Sequence, residues 1–476
     1  MSLPTPTQQT KSWQEAIRLA DERAASFRDA LVELLKIPSI SGNSSHTKDV
    51  QNAAEWVRAY VAQCGLDVEL LPTEGSPIVY GERRGKSDSP TVLIYGHYDV
   101  QPVEPRSAWD QDPFDPVVRD GNVIARGATD DKGQCLALLC GLQIAFDAGL
   151  GDDVTVKVLI EGEEEVGSPS LVPFIRENKE KLAADAVIIS DSSQLTAGIP
   201  AITCGLRGIM SMELVLRGAK QDLHSGSYGG AVANPANVLT RIMNACQEPF
   251  GKIAIPGFYD RVRDLEDHER AAFAALPITE EDFLREVGAP KLWGEEGFSS
   301  LERKWARPTF DINGLVSGHT GEGGKTVLPA EACAKFSMRL VPDQDADEIA
   351  RLTEEFLLSL VPDCVTAEVH HSHGAAPVLV SCDSDLFRAA ERAVETGFGQ
   401  RPVLIREGGS IPVVNTFKAE LGIDSILIGL GLPDDGAHAP NEKFSLDDFQ
   451  RGVLTMAAML GEASGADISK SAISKT

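Results

Sequence analysis

The chain has 476 residues, with 44 Lys and Arg against 71 Asp and Glu, for a formal charge of −27. That length exceeds what one core usually absorbs, so two domains are expected, and 42% hydrophobic with 24% charged residues is the composition of a soluble globular enzyme. The acidity and the lack of a basic stripe exclude ordinary nucleic-acid binding, and no run of about 18 apolar residues offers a membrane span.

The first twenty residues, MSLPTPTQQTKSWQEAIRLA, hold no apolar core of signal-peptide length, so the cytoplasm is the expected location. Eight cysteines, at 64, 135, 140, 204, 246, 333, 364 and 382, are scattered without a CxxC pair, which gives no zinc finger or thioredoxin motif. Most are expected to be buried reduced thiols acting as small apolar groups.

In chain order, 13–36 reads as an amphipathic helix broken at Pro38 and Gly42, and 49–64 as a second helix stopped by Gly65. TVLIYG (91–96), VTVKVLI (154–160) and AVIIS (186–190) are β-branched and nearly unbroken, the pattern of central strands buried on both faces. A helix at 132–150 separates the first two, so an α/β sheet is expected. From GLRG (205–208) the texture changes. Residues 209–218 and 334–342 alternate apolar with polar, as in a one-sided sheet, and helices are expected at 235–247 and 345–360 with a strand near 365–370. Residues 255–310 show no clear period. From about 380 the first texture returns: a helix at 384–397, strands at 403–406 and 424–431, a helix at 447–463, and a polar, frayed tail, SGADISKSAISKT.

Five segments place charged or imidazole groups at or near the ends of apolar strands. GHYDV supplies His97 and Asp99, GATDDKG supplies Asp130 and Asp131, EGEEEVGS supplies Glu163, Glu164 and Glu165, Asp191 follows 186–190, and GAHAPNE supplies His438. Ligands of open α/β sheets collect beyond the carboxyl ends of the strands. So many carboxylates together would raise one another's pKa values, and cations remove that conflict. Two imidazoles and three carboxylates suit a pair of divalent metals. Two such ions, about 3.5–4 Å apart, can polarise a carbonyl and generate hydroxide from bound water. Any one of these residues alone would more simply be a loop residue; their conjunction carries the reading.

The set GHYDVQP, GATDDKG, EGEEEVGS, DLHSGSYGG, KTVLP, RLVP, EGGSIP and GAHAPNE, in that order, resembles the carnosinase-like dipeptidase branch of the aminoacylase/carboxypeptidase-like di-zinc metallopeptidases, over about residues 38 to 460. The resemblance implies a mixed-sheet, zinc-peptidase-like catalytic domain in two pieces, 1–205 and 376–476. An inserted α+β, ferredoxin-like lid at 206–375 would also form a homodimer. It implies that His97, Asp130 and Asp191 bind one metal, that Asp130, Glu165 and His438 bind the other, and that the Asp130–Asp131 peptide is cis. Glu164 would be the general base, and Asp99 would orient His97. His224, in DLHSG, would reach the partner subunit's active site and stabilise the oxyanion. Arg339 and Ser410 would grip the C-terminal carboxylate of the substrate, a guanidinium matching a carboxylate geometrically. Thr326 would add a contact, and Gly229 and Gly230 would let lid backbone approach the substrate.

The expected activity is therefore metal-dependent hydrolysis of dipeptides or similarly small peptides with a free C-terminal carboxylate. The two ions would be zinc in the first instance, with manganese or cobalt as alternatives. An N-acyl-amino-acid deacylase or a carboxypeptidase would use the same centre, whereas a non-catalytic binding protein would not need Glu164. A nucleotide-binding reading lacks its phosphate loop. His370, His371 and His373 sit at a strand end away from these segments and are read as surface residues.

Overall fold

The computed structural model describes residues 6–86, 89–409 and 411–465. Among them, no helix is long and apolar enough to cross a membrane. The chain divides into two compact units: residues 1–204, 380–405 and 416–476 form the first, and residues 205–379 with 406–415 the second.

The first unit is built on a mixed sheet whose middle is parallel. Thr155–Glu161 pairs in parallel with Thr91–His97, which pairs in parallel with Ala186–Ile189, which in turn pairs in parallel with Ser425–Gly429. These four strands are buried along nearly their whole length. That is why their sequences read as unbroken apolar runs. Two antiparallel strands, Asp67–Leu71 and Ile78–Arg83, extend one side, and Ala201–Leu206 runs antiparallel to Ser425–Gly429 on the other. The edge pair was not read from the sequence: Asp67–Leu71 is only five residues long, with no residue buried.

Helices cover the sheet. Pro6–Leu35, Lys132–Asp147, Asp385–Phe398 and Leu446–Ala463 pack together on one core. Lys132–Asp147 is buried nearly all round. Its first turn crowds the preceding loop: a Cβ on Gly133 would lie 1.9 Å from the Ala128 carbonyl oxygen. Only glycine fits there.

The second unit has the order strand, helix, strand, strand, helix, strand. Its sheet runs Thr309–Ser317, Glu331–Leu340, Gly208–Arg217, Thr366–Ala375, all antiparallel. Pro235–Ala245 and Ala346–Ser359 close one face over Met210, Met212, Leu214, Phe336 and Met338. This is the ferredoxin-like α+β arrangement. Residues 255–310, without period in the sequence, contain three short helices, Asp267–Ala274, Glu280–Val287 and Ser300–Ala306. The last two open on capping boxes, Thr279 with Asp282 and Ser299 with Glu302. That signal was present in the sequence.

Four of the eight thiols are buried, namely Cys64, Cys135, Cys140 and Cys246, while Cys364 is exposed. The expectation of mostly buried thiols is thus met by half of them. The polar tail from Ser464 lies largely outside the described residues.

Candidate metal centre and its relatives

Because four parallel strands lie side by side, their carboxyl ends deliver side chains to one place in the first unit. His97 ends its strand and is fully buried. Its Nδ1 faces the Asp99 backbone oxygen at 3.1 Å and Asp99 Oδ1 at 3.3 Å. Its Nε2 points the other way, 3.3 Å from Asp130 Oδ1 and 3.9 Å from Asp191 Oδ2. Yet among the described residues that buried nitrogen finds no hydrogen-bond partner. An orphaned ring nitrogen aimed at two carboxylates is what a cation between them would satisfy.

A second group shares Asp130. His438 Nε2 lies 2.9 Å from Asp130 Oδ2 and 3.3 Å from Glu165 Oε2. The ligand atoms of His97, Asp130 and Asp191, and those of Asp130, Glu165 and His438, each fall within 4.8 Å of one another. One oxygen of Asp130 therefore faces each imidazole, the geometry of a bridging carboxylate, and the donor set fits two divalent ions. His438 has φ of 62°. A non-glycine residue in that region costs on the order of 1–3 kcal/mol and clusters at functional sites.

The Asp130–Asp131 peptide is cis, as the resemblance implies. Asp131 is fully buried and accepts the His97 backbone N–H at 3.3 Å. Glu164 and Glu165 begin a short 3-10 turn after their strand. Glu164 belongs to neither ligand group but lies within reach of their charges. Burial, then the charges of Asp191, Glu165 and Asp130 against the pull of His97, push its carboxyl up to about 8. Asp130 is held below its usual range: burial opposes ionisation, but His438 and His97 outweigh it. His97 is raised, because Asp130 and Asp99 outweigh the effect of burial. The cluster thus behaves as a set of carboxylates short of positive charge.

Three further residues support the cluster and were not singled out from the sequence. Gln101 donates from Nε2 to Glu165 Oε2 at 2.8 Å and steadies that candidate ligand. Glu442 accepts the backbone N–H groups of Gly127, Thr129 and Asp130. Asp435 accepts from the Thr129 hydroxyl. Gln101 and Glu442 lie inside the recognised segments GHYDVQP and GAHAPNE, so their signal was position within a motif.

In the second unit, the two-residue strand Leu223–His224 pairs with Val327–Leu328. His224 is exposed, and its Nδ1 accepts the Gly226 N–H at 3.0 Å. The Ser225 N–H donates to the Thr326 carbonyl at 3.1 Å, so His224 and Thr326 share one ribbon. Gly229 and Gly230 follow on the exposed turn, Gly230 with φ of 84°. Arg339 lies half-buried on Glu331–Leu340, and burial holds its guanidinium below its usual pKa. Burial, with the Arg339 charge behind it, pushes the neighbouring Arg207 down to about 10. Ser410 lies outside the described residues. His370 and His371 stand beside Glu368 and Glu354 on the surface.

Residues 93–462 match the Peptidase family M20/M25/M40. The chain is similar to the Cys-Gly metallodipeptidase dug1 of Schizosaccharomyces pombe, at 33% identity over 91% of this chain and 94% of that one. It is also similar to the Beta-Ala-His dipeptidase of Homo sapiens, at 31% identity over 85% and 82%. Among solved structures, the M20 family metallo-carboxypeptidase Sso-CP2 from Sulfolobus solfataricus superposes with a TM-score of 0.82, at 33% identity, covering 92% of this chain and 99% of that one. The chain belongs to peptidase family M20/M25/M40, in the branch that holds the Cys-Gly metallodipeptidases and the Beta-Ala-His dipeptidases.

Proposed function

We propose that the protein hydrolyses the peptide bond of dipeptides, or of similarly small peptides with a free C-terminal carboxylate. The observation that carries this is Asp130, shared between two ligand groups with Glu164 beside them. His97, Asp130 and Asp191 would hold one ion and Asp130, Glu165 and His438 the other, with zinc the first choice and manganese or cobalt the alternatives. When bound, the pair supplies polarisation of the scissile carbonyl and acidification of water.

The remaining steps belong to side chains. Glu164 accepts the proton of the attacking water and returns it to the leaving amine, which needs a carboxylate whose pKa lies near the working pH. Asp99 keeps the His97 ring oriented through its Nδ1. In a homodimer formed through 206–375, His224 of a second copy would meet the developing oxyanion. Arg339 and Ser410 would hold the substrate's carboxylate, with Thr326 adding a contact. Gly229 and Gly230 would let backbone come close.

A carboxypeptidase reading is favoured by the likeness to Sso-CP2, and a deacylase would use the same centre. Comparing kcat/KM on dipeptides, longer peptides and N-acetyl amino acids, before and after chelation, separates them. Dipeptides should be preferred and activity lost on chelation. A preference for longer peptides would transfer the assignment to a carboxypeptidase.

A further inference from the structure

We propose that Glu442 is the positioning residue that sets the shared carboxylate of Asp130. This rests on the reading of Asp130 as the ligand common to both ions.

Glu442 is fully buried and uses both carboxylate oxygens. Oε2 accepts from Arg126 Nη1 at 2.8 Å and from the Gly127 N–H at 2.9 Å. Oε1 accepts from the N–H groups of Thr129 at 2.9 Å and Asp130 at 3.1 Å. One side chain thus closes on three backbone donors of the loop that presents Asp130. Its own carbonyl accepts the Ala125 N–H at 3.0 Å, and Lys443–Ser445 pairs with Asn122–Ile124, so its register against the loop is fixed. Arg126 also donates to the Pro102 carbonyl at 3.0 Å, which ties in the segment after His97 and Asp99.

The clamp comes from the same turn as His438, four residues earlier. The turn that supplies one imidazole to Asp130 therefore also holds the Asp130 backbone. A buried ion pair is weak evidence for stability, since apolar replacements are often neutral. Three backbone hydrogen bonds converging beside a ligand are better explained by placement, because ligand geometry tolerates errors of only about 0.5 Å.

The test compares Glu442→Gln and Glu442→Asp in the full chain. Gln keeps the shape but turns an amide donor toward N–H donors. Asp keeps the charge for Arg126 but is one methylene short of Thr129 and Asp130. Cobalt and zinc affinities and stoichiometry are measured by competition with a chelating dye, together with the cobalt electronic spectrum and the split between kcat and KM. Both variants should lose about 10–100-fold in metal affinity, alter the cobalt spectrum, and lose kcat with KM little changed. Val61→Ala, a cavity in the buried face of Thr47–Gln63, should lower the melting temperature and leave affinity and spectrum intact.

An Asp variant that binds metal like the parent reduces Glu442 to a charge partner of Arg126 and overturns the proposal. Asp130→Ala distinguishes the underlying reading. If it loses metal while both Glu442 variants keep full affinity, the centre stands and the clamp falls. If it too binds two ions unchanged, Asp130 is no shared ligand and the proposal falls with that reading.

Discussion

Asp99 Oδ1 accepts the backbone N–H of Glu164 at 3.2 Å, so the carboxylate beside the His97 ring also holds the proposed base in place. Its second oxygen accepts the Glu165 N–H at 3.1 Å, which extends the same hold to a candidate ligand. Asp99→Asn keeps the size but offers an N–H where one of these donors points. Metal affinity and kcat should both fall by about 10–100-fold. Isothermal titration and steady-state kinetics check this, and a variant with normal values for both would remove Asp99 from the site.

Glu164→Gln should reduce kcat by about 10²–10⁴-fold with metal content unchanged. The sign of the pH dependence follows from its environment. Burial and the neighbouring carboxylates raise its pKa to about 8, and the base acts when deprotonated, so kcat/KM should rise with pH along an acidic limb. Bound cations favour the carboxylate and move that limb below 8. The limb should vanish from the residual activity of the Gln variant. An unchanged limb would assign it to another group.

Chelation should abolish hydrolysis and lower the melting temperature together, because Asp130, Glu165 and Asp191 are left facing one another. Metal at a hundredfold excess over its dissociation constant should restore about 2.7 kcal/mol. Calorimetry with and without chelator measures this, and an unchanged melting temperature would contradict metal binding to the folded state.

Glu161 is buried beneath the site, accepting from the Tyr95 hydroxyl at 2.6 Å and the Ser168 hydroxyl at 2.7 Å. Burial is the main cause that pushes its carboxyl up to about 7 from an ordinary 4.5. The folded state therefore favours the protonated form. Its stability contribution is fully present below about pH 4.5 and is lost as pH rises through about 7. Glu161→Gln keeps both accepted hydrogen bonds and has no proton to lose. At pH 8 it should be more stable than the parent by at most roughly 3 kcal/mol, with no gain at pH 4. Chemical denaturation at both pH values checks the crossover.

His224→Ala should cut kcat sharply without unfolding the chain, since the side chain is exposed. If His224 acts in a second subunit, mixing it with inactive Glu164→Ala should recover about one quarter of parental activity, the share for random pairing in a two-fold dimer. No recovery after verified subunit exchange would rule out action across subunits.

Much of this protein was legible in one dimension. Apolar runs such as TVLIYG and AVIIS announce doubly buried strands because burial on both faces removes the need for alternation. His97, Glu165 and Asp191 follow such runs, while Asp130 comes from the loop that leads into Lys132–Asp147. Gly133 and the capping residues of 255–310 carry their meaning locally as well. Local chemistry was thus determined by the sequence itself.

Other relationships required the tertiary structure. Nothing in the chain orders Thr155–Glu161, Thr91–His97, Ala186–Ile189 and Ser425–Gly429 as neighbours, and only that order brings His97 and His438 to opposite oxygens of Asp130. Glu442 reads as one more acidic residue in a loop until folding brings it against backbone 312 residues away. The orphaned His97 nitrogen is likewise a property of burial. Residue type and local pattern determine which groups can bind a metal or move a proton; their distances and pKa values come from long-range pairing and desolvation, which exist only once the chain is packed.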